Sequence, residues 1–415
     1  MTHIVEVVGL EDETEEISPP AAVAVSATDR AIEEHFETGR LRVVQEKNEL
    51  FLPHVVDFIE KDKWGNLRPE YQRRLRWDDA KKSRLIESFI MNVPVPPVFL
   101  YEVTLGSYEV MDGQQRLNAI VDFLQGRYKL TGLKIWPSLN GRTFALLPPM
   151  VQRGLGRAKV SAITLMSDSS APVGDDMDLR AQVFERLNTG GERLNPQELR
   201  NSLYSGNFNK LVVDLAKLRP FTDAWEIPSH KEHTRSDETP DAILRDNNLF
   251  KRMLDVEIVL RFFAFRDDKT ISGAVRGMLD GTMKTLRNID ASAIYALRAE
   301  FVDALNMARS VFGDQVFRLP PSDSKPRGVL SRPLYDAEMV ALYRLHDRRS
   351  EILANAADIA KAVLALAQPT APSYELMVGR GNTAAFVRER IALVQKTIIR
   401  GGWANLHSPI SGISA

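Results

Sequence analysis

Residues 108–126 read YEVMDGQQRLNAIVDFLQG, and this stretch predicts a strand that turns sharply into a helix. Residues 108–111 alternate in polarity and favour β-structure, while Gly113 permits backbone angles that other residues avoid. Apolar residues then recur at the i, i+3, i+4, i+7 spacing of one helical face, at Leu117, Ile120, Val121 and Leu124. The strand and the helix are therefore predicted to meet at Gly113.

Four polar residues lie on the predicted turn, at Asp112, Gln114, Gln115 and Arg116. A helix N-terminus presents backbone N–H groups without intrahelical partners and the positive end of the helix dipole, so it favours an anion. Arg116 adds a planar cationic fork that suits phosphate oxygens. From these residues we predict a phosphate or nucleotide site.

The five residues 112–116, DGQQR, also carry a resemblance to a protein family. They resemble the motif of the DGQQR domain family, which is found in GmrSD-type and SspE-type restriction proteins of bacterial phage defence. The turn is similar to the Gly-x-x-Arg turn of the ParB/sulfiredoxin superfamily, where it meets nucleotide phosphates. The resemblance implies a ParB-like α/β domain around this turn.

Three further stretches agree with that family in order and spacing. Residues 69–77, PEYQRRLRW, resemble its Pro-x-Tyr-Gln-Arg-x-x-x-Trp box, and residues 183–191, VFERLNTGG, resemble its Phe-x-x-Leu-Asn-Thr-Gly-Gly segment. Leu194 with Glu198 and Leu199 resembles the short stretch that follows. The similarity covers about residues 45–265.

The resemblance assigns roles to residues in each motif. The predicted catalytic residues are Asp112, Gln115 and Arg116, and the predicted nucleotide-binding residues are Gln72, Arg73, Gly113, Gln114, Asn188, Thr189 and Gly190. Arg116 is expected to hold phosphate oxygens, while Asp112 is expected to bind Mg²⁺ or orient the attacking water. Amide side chains cannot act as general bases, so the glutamines are expected to position groups by hydrogen bonds.

Each motif also has a purely structural explanation. Asp112 and Arg116 together form an ordinary turn aspartate with a salt-bridging arginine, and the arginine-rich run at residues 72–76 is typical of a solvated strand. Gly190 and Gly191 suit a helix stop. Glu257 and Arg261, at i and i+4 in an apolar helix, are explained as a structural ion pair.

The composition sets the outer limits. Of 415 residues, 44% are hydrophobic and 26% charged, as in ordinary globular proteins of two structural units. The absence of cysteine excludes disulfides, thiolate zinc sites and thiol nucleophiles. A net charge of -1 shows no overall basic excess for avid DNA binding, although a local basic patch could supply it. No apolar run is long enough to span a bilayer and no signal peptide is visible, so a cytoplasmic location is expected.

The fold class predicted from these patterns is α+β. We expect a disordered acidic arm at 1–44 with one short helix near Ala31, a ParB-like α/β domain at 45–170 and an α-helical domain at 171–415. Strands are expected at 98–103, 108–111, 128–136 and 160–165. Long helices are expected at 249–265, 292–312, 337–367 and 383–399. Residues 77–79, WDD, are predicted to give one further helix a capped start. Asn195 is predicted to cap another, with Pro196 at N1 and Glu198 in a capping box.

The functional expectation follows from the site and the resemblance together. It is a nucleotide-binding, Mg²⁺-dependent NTP-hydrolysing subunit of a modification-dependent restriction system that acts on DNA. No P-loop is present, and the His-Asn-His nuclease signature of related systems is not visible, so a separate nuclease subunit is an expected partner. A homo-oligomer is left open. Two alternatives remain, a ParB-like DNA nicking endonuclease and a non-catalytic, nucleotide-gated DNA-binding module.

Overall fold

The computed structural model describes residues 7–8, 29–38, 43–61, 77–167, 183, 186, 195–234, 240–381 and 383–401. Its strands are β1 (Val7–Val8), β2 (Val43–Phe51), β3 (Val98–Thr104), β4 (Ser107–Asp112), β5 (Lys159–Ser167) and β6 (Leu330–Ser331). Its first helices are α1 (Asp29–Thr38), α2 (Leu52–Val56), α3 (Asp79–Ile90), α4 (Gln114–Leu124) and α5 (Pro149–Arg157).

The remaining helices follow Asn195. They are α6 (Pro196–Leu203), α7 (Asn207–Leu215), α8 (Arg219–Ala224), α9 (His230–His233), α10 (Ala242–Asp246), α11 (Asn248–Lys251), α12 (Leu254–Phe265), α13 (Val275–Leu286), α14 (Ala291–Phe312), α15 (Arg332–Arg344), α16 (Arg349–Ala354), α17 (Ala356–Leu366), α18 (Tyr374–Met377) and α19 (Ala384–Gly401). The chain divides into two compact units, residues 19–194 and residues 195–415 with 1–18.

The unit of residues 19–194 is built on a four-stranded mixed sheet in the order β2-β5-β3-β4. Strands β3 and β5 run parallel, whereas the β2–β5 and β3–β4 pairs are antiparallel. With helices packed on this sheet, the predicted α+β class is confirmed. The predicted hairpin of β3 and β4 and the strand β5 are present. Strand β2 was not foreseen, because residues 45–49 are exposed and show no buried stripe.

The expected strand at 128–136 is wrong. Gly132 has a φ of 67°, which breaks an extended chain, and the segment instead folds back on itself. Leu130 donates its N–H to the carbonyl of Arg142, and Gly141 donates to the carbonyl of Leu130, at 2.9 and 2.7 Å. Within this irregular segment Tyr128, Leu130 and Leu133 are buried, whereas Ile135 and Trp136 are exposed.

The core of this unit fixes α4, the helix that follows the predicted turn. Its inward face buries Leu117, Ala119, Ile120, Val121 and Phe123. These side chains join a cluster that includes residues of α2, α3 and β3. Burying a large aliphatic or aromatic side chain contributes about 1.5–3 kcal/mol, so the start of α4 is held by the core and not by local propensity alone.

The unit of residues 195–415 is helical. Asn195 caps α6 as predicted, with its side chain accepting from the N–H of Glu198 while Glu198 Oε2 accepts from the N–H of Asn195. The expected helices at 292–312 and 383–399 correspond to α14 and α19. Two others are interrupted where no glycine or proline marks a break. The helix expected at 249–265 is broken at Met253, whose φ is 55°, and the one at 337–367 is divided among α15, α16 and α17.

Two domain predictions stay predictions. The expected boundary at 170–171 and most of the expected acidic arm at 1–44 lie outside the described residues. The short helix expected near Ala31 is α1.

Buried ion pairs join the helices of this second unit. Glu257 accepts hydrogen bonds from Arg332 Nη1 at 2.6 Å and from Arg200 Nη1 at 3.4 Å, and Arg261 Nε donates to Asp336 Oδ1 at 2.9 Å. Burial raises the pKa of Glu257, but the nearby arginines outweigh it and hold that pKa below its usual value. Arg261, within the same helix, also lowers the pKa of Glu257, and both residues pair in addition with residues of other helices, which ties α12 to α6 and α15.

Glu338 is the exception among these charges. Its side chain is fully buried on α15, and Oε2 accepts a hydrogen bond from the Phe317 N–H at 3.0 Å. Oε1 has no hydrogen-bond partner among the described residues. Burial raises the pKa of Glu338 well above its ordinary 4.5, against the lowering effect of the Phe317 N–H. Burial therefore favours the protonated form of this carboxyl in the folded protein.

We expect Glu338→Gln to stabilise the protein more at about pH 8 than at about pH 4. Because the folded pKa is raised, the contribution of the Glu338 side chain to the free energy of unfolding is fully present below the unfolded pKa of 4.5. It is lost as the pH rises through the folded pKa. Glutamine keeps an acceptor for the Phe317 N–H and does not titrate. Thermal melts at both pH values measure the difference.

The matched control for this change is Glu375→Gln, the same substitution at an exposed carboxylate. Equal shifts of melting temperature for Glu338→Gln at the two pH values would contradict a protonated Glu338.

Candidate functional site

The predicted strand-to-helix turn is present and is built around Gly113. Strand β4 ends at Asp112, Gly113 has a φ of 93°, and α4 begins at Gln114. Leu117 donates its N–H to the Gly113 carbonyl at 3.0 Å, which closes the first helical turn. A Cβ at position 113 would lie 2.5 Å from Val98 Cγ1. Both the backbone angle and the available space therefore require glycine.

An ion pair spans this turn. Arg116 Nη2 lies 2.7 Å from Asp112 Oδ2 and 3.1 Å from the carbonyl oxygen of Pro97. The arginine side chain is only 15% exposed, whereas that of Asp112 is 47% exposed. Arg116 Nε is buried and has no hydrogen-bond partner among the described residues. Arg116 therefore links Asp112, at the end of β4, to Pro97, the residue before β3.

The two glutamines sit on the first turn of α4 and are partly buried. Gln115 Oε1 accepts a hydrogen bond from the backbone N–H of Trp77 at 3.2 Å. Trp77 is the last residue of the stretch 69–77, so the structure brings the end of that motif to the central turn. Gln115 is therefore placed to position the chain that enters α3.

The N-terminus of α4 has no side-chain cap. Helix α3 in the same unit, by contrast, is capped by Asp78, whose Oδ1 accepts from the Lys81 N–H at 2.7 Å. The first-turn N–H groups and dipole of an uncapped helix favour an anion, and Asp112 carries the nearest negative charge on the turn. Asp112 and an incoming phosphate would consequently compete for the same favourable field and for Arg116.

The expected binding of Mg²⁺ by Asp112 depends on which other metal-ligating side chains lie nearby. Among the described residues there is no cluster of three or more histidine, aspartate or glutamate side chains that could hold a metal. Mg²⁺ bound through substrate phosphates needs only one or two protein carboxylates, with water completing its shell. Asp112 is suited to be such a single carboxylate ligand once its Oδ2 is released from Arg116.

Several predicted site residues lie outside the described residues. These are Gln72, Arg73, Asn188, Thr189 and Gly190. The structure brings together Asp112, Gly113, Gln115 and Arg116, and their assigned roles stay predictions. Sequence reasoning missed the Pro97 carbonyl and the Val98 side chain, since contacts from a neighbouring strand leave no local pattern.

Comparison with known proteins gives one family. Residues 55–205 match the family described as GmrSD restriction endonuclease, N-terminal domain. The chain therefore carries a GmrSD-type N-terminal domain, which confirms the resemblance carried by the DGQQR motif. The domain links the chain to restriction of DNA. Searches of curated proteins and of solved structures found no significant match.

The helices were also compared with the requirements for crossing a membrane. None that the structure describes is both long and apolar enough to do so.

We expect Gly113→Ala to destabilise the protein by about 2–4 kcal/mol, through the left-handed backbone and the contact with Val98. Gly126→Ala is the matched control, since Gly126 lies just after the same helix with a φ of 73° and has open space around its Cβ position. It should lower the free energy of unfolding by only about 1 kcal/mol. Urea denaturation measures both, and equal losses would refute the close packing of the turn on β3.

Proposed function

We propose that this chain is the nucleotide-binding subunit of a DNA restriction system and that it hydrolyses a nucleoside triphosphate. The observation that carries the proposal is the Gly113 turn, an uncapped helix N-terminus with a buried arginine beside it. Its position within a GmrSD-type N-terminal domain supports the restriction role. Cytoplasmic location and cleavage of DNA by a separate nuclease are parts of the same proposal.

Phosphate binding at this turn would exchange the partners of Arg116. In the structure its Nη2 donates to Asp112 and to the Pro97 carbonyl, and Nε is buried without a partner among the described residues. A nucleotide phosphate carries more negative charge than one carboxylate and can accept from several first-turn N–H groups at once. Arg116 would therefore turn toward the phosphate and release Asp112.

The released carboxylate would then act on the attacking water. Asp112 would accept a hydrogen bond from that water and orient it toward the terminal phosphorus, where the new P–O bond forms as the bond to the diphosphate breaks. Arg116 and the helix N-terminus would stabilise the negative charge on the phosphoryl oxygens. Mg²⁺, when bound through the phosphates and Asp112, would neutralise part of that charge. Gln115 would keep the turn in place through Trp77.

The first test is phosphate release by the purified protein with each of four nucleoside triphosphates and Mg²⁺, with and without duplex DNA. We expect Arg116→Ala to lower the rate by about a hundredfold or more, because a buried cation no longer faces the phosphates. Arg344→Ala is the matched control, since Arg344 of the helical unit also pairs with an aspartate, Asp268, and also donates to a backbone carbonyl, that of Phe265. It should retain the wild-type rate.

Asp112→Asn separates binding from hydrolysis. Removing the carboxylate that competes for Arg116 should tighten nucleotide binding by about tenfold, while the loss of the water-orienting group should abolish release of phosphate. Equilibrium dialysis without Mg²⁺, which keeps the loss of a metal ligand out of the comparison, and a phosphate assay with Mg²⁺ measure the two effects. Weaker binding in Asp112→Asn would contradict the exchange of partners.

Supercoiled plasmid in the same reactions tests the alternatives. Nicking that depends on Arg116, without phosphate release from nucleotides, would favour the endonuclease function over the proposed one. Nucleotide binding that depends on Arg116, with neither nicking nor phosphate release, would favour the non-catalytic module.

A further inference from the structure

Residues 123–167 contain seven lysines and arginines and no aspartate or glutamate. At the average for this chain, with 55 acidic residues in 415, a stretch of that length would carry about six. The seven cations are Arg127, Lys129, Lys134, Arg142, Arg153, Arg157 and Lys159, and all are exposed. The net charge of -1 for the whole chain conceals this local excess, which we call the basic segment.

The basic segment is held firmly on the α/β unit. Its apolar residues Leu130, Leu139 and Leu155 are buried in the core of that unit. On α3, Glu87 Oε1 accepts from the Trp136 N–H at 2.9 Å and Ser83 Oγ accepts from the Thr131 N–H at the same distance. The cations therefore project from a fixed surface.

Within the described part of the chain, most of these cations pair with no carboxylate. Lys159 pairs with Glu49 and Arg127 with Asp122. Arg142 donates to the carbonyl oxygens of Ser138 and Leu146. Among the described residues no salt bridge involves Lys129, Lys134, Arg142, Arg153 or Arg157. A fixed set of uncompensated positive charges raises the local concentration of a polyanion.

Exposed apolar side chains are interleaved with these cations. Ile135, Trp136, Leu146 and Met150 are 63%, 40%, 59% and 77% exposed. A solvated charged surface has no need of them, whereas surfaces that bind nucleic acid combine cations with aromatic and apolar groups that contact sugars and bases. Trp136 lies two residues from Lys134, so both kinds of contact are available at one place.

Helix α5 presents a second part of this surface. Met150, Arg153 and Arg157 follow the i, i+3, i+7 spacing and are exposed, while Leu155 points into the core. Gly154 lies beside Arg153, and a Cβ there would meet nothing within 4 Å. A helical glycine without a packing reason costs about 1 kcal/mol relative to alanine, and it lets another backbone come close to the helix.

We propose that the basic segment is the surface by which this chain holds duplex DNA, through the phosphate backbone and with Trp136 in contact with sugars or base edges. The choice of DNA rests on the proposed function. The charge pattern and the exposed Trp136 are independent of the nucleotide site. DNA carries one negative charge per about 1.7 Å of helix axis, so several fixed cations can contact its phosphates at once.

The test measures DNA affinity by fluorescence anisotropy over a range of salt concentrations. The test variant changes Lys129, Lys134, Arg153 and Arg157 to glutamine. The control changes four exposed cations of the helical unit, Lys210, Arg245, Arg309 and Lys361, in the same way. We expect the test variant to reduce the slope of log affinity against log salt by about 3 to 4 and to bind about a hundredfold more weakly at 0.1 M salt. The control should bind like the wild type.

A second variant, Trp136→Ala, tests the apolar contact. Loss of stacking should weaken binding about tenfold and leave the salt slope unchanged, because no charge is removed. Nucleotide hydrolysis without DNA should be the same in all three variants and the wild type.

Two outcomes would overturn this assignment without touching the nucleotide site. One is DNA binding that falls by the same amount in the test variant and in the control variant, while phosphate release still depends on Arg116. The other is unchanged DNA binding in the test variant together with loss of binding to anionic vesicles, which would identify a membrane surface as the partner.

Discussion

The contact between Gly113 and Val98 is the constraint on which the candidate site depends. It brings the start of α4 so close to the start of β3 that no side chain fits at position 113. Because that space is empty of a side chain, Arg116 can fold back across the turn and bind both Asp112 and the Pro97 carbonyl. One glycine therefore sets the direction of the helix, the place of the arginine and the environment of the aspartate.

The electrostatics of the turn give Asp112 a double character. Its carboxylate lies at the positive end of α4, where it is itself stabilised, and it neutralises the arginine that a phosphate would use. On the proposed function, such a site favours a ligand that offers more charge and more acceptor oxygens than the Asp112 carboxylate. On the proposed function, this competition couples nucleotide binding to the release of the carboxylate that hydrolysis requires.

Charge is used differently in the two units. In the helical unit, arginines and carboxylates are buried in pairs that join separate helices, and breaking a buried pair typically costs about 3–5 kcal/mol. In the α/β unit, the basic segment leaves its cations exposed, and most of them pair with no carboxylate among the described residues. The first arrangement specifies how helices pack, while the second creates a field outside the protein. The net charge of the whole chain, -1, reveals neither arrangement.

Local sequence determined the elements that rest on short-range chemistry. The cap at Asp78, the capping box at Asn195, the β3–β4 hairpin and the turn at Gly113 each follow from residues a few positions apart, and so did the α+β class. Helix breaks at Met253 and between α15 and α17 had no such marker, because packing among helices imposes them. The segment 128–136 alternates like a strand, yet Gly132 and its bonds to residues 141 and 142 turn it back.

The DGQQR motif predicted the candidate site residues, and it lies within residues 55–205, which match a GmrSD-type N-terminal domain. Tertiary structure decided what they contact. Arg116 binds the Pro97 carbonyl, Gln115 binds the Trp77 N–H, and Glu257 and Arg261 pair with other helices. A sequence records spacing along the chain, but hydrogen bonds and ion pairs depend on distances in space, and the sheet and the core set those distances.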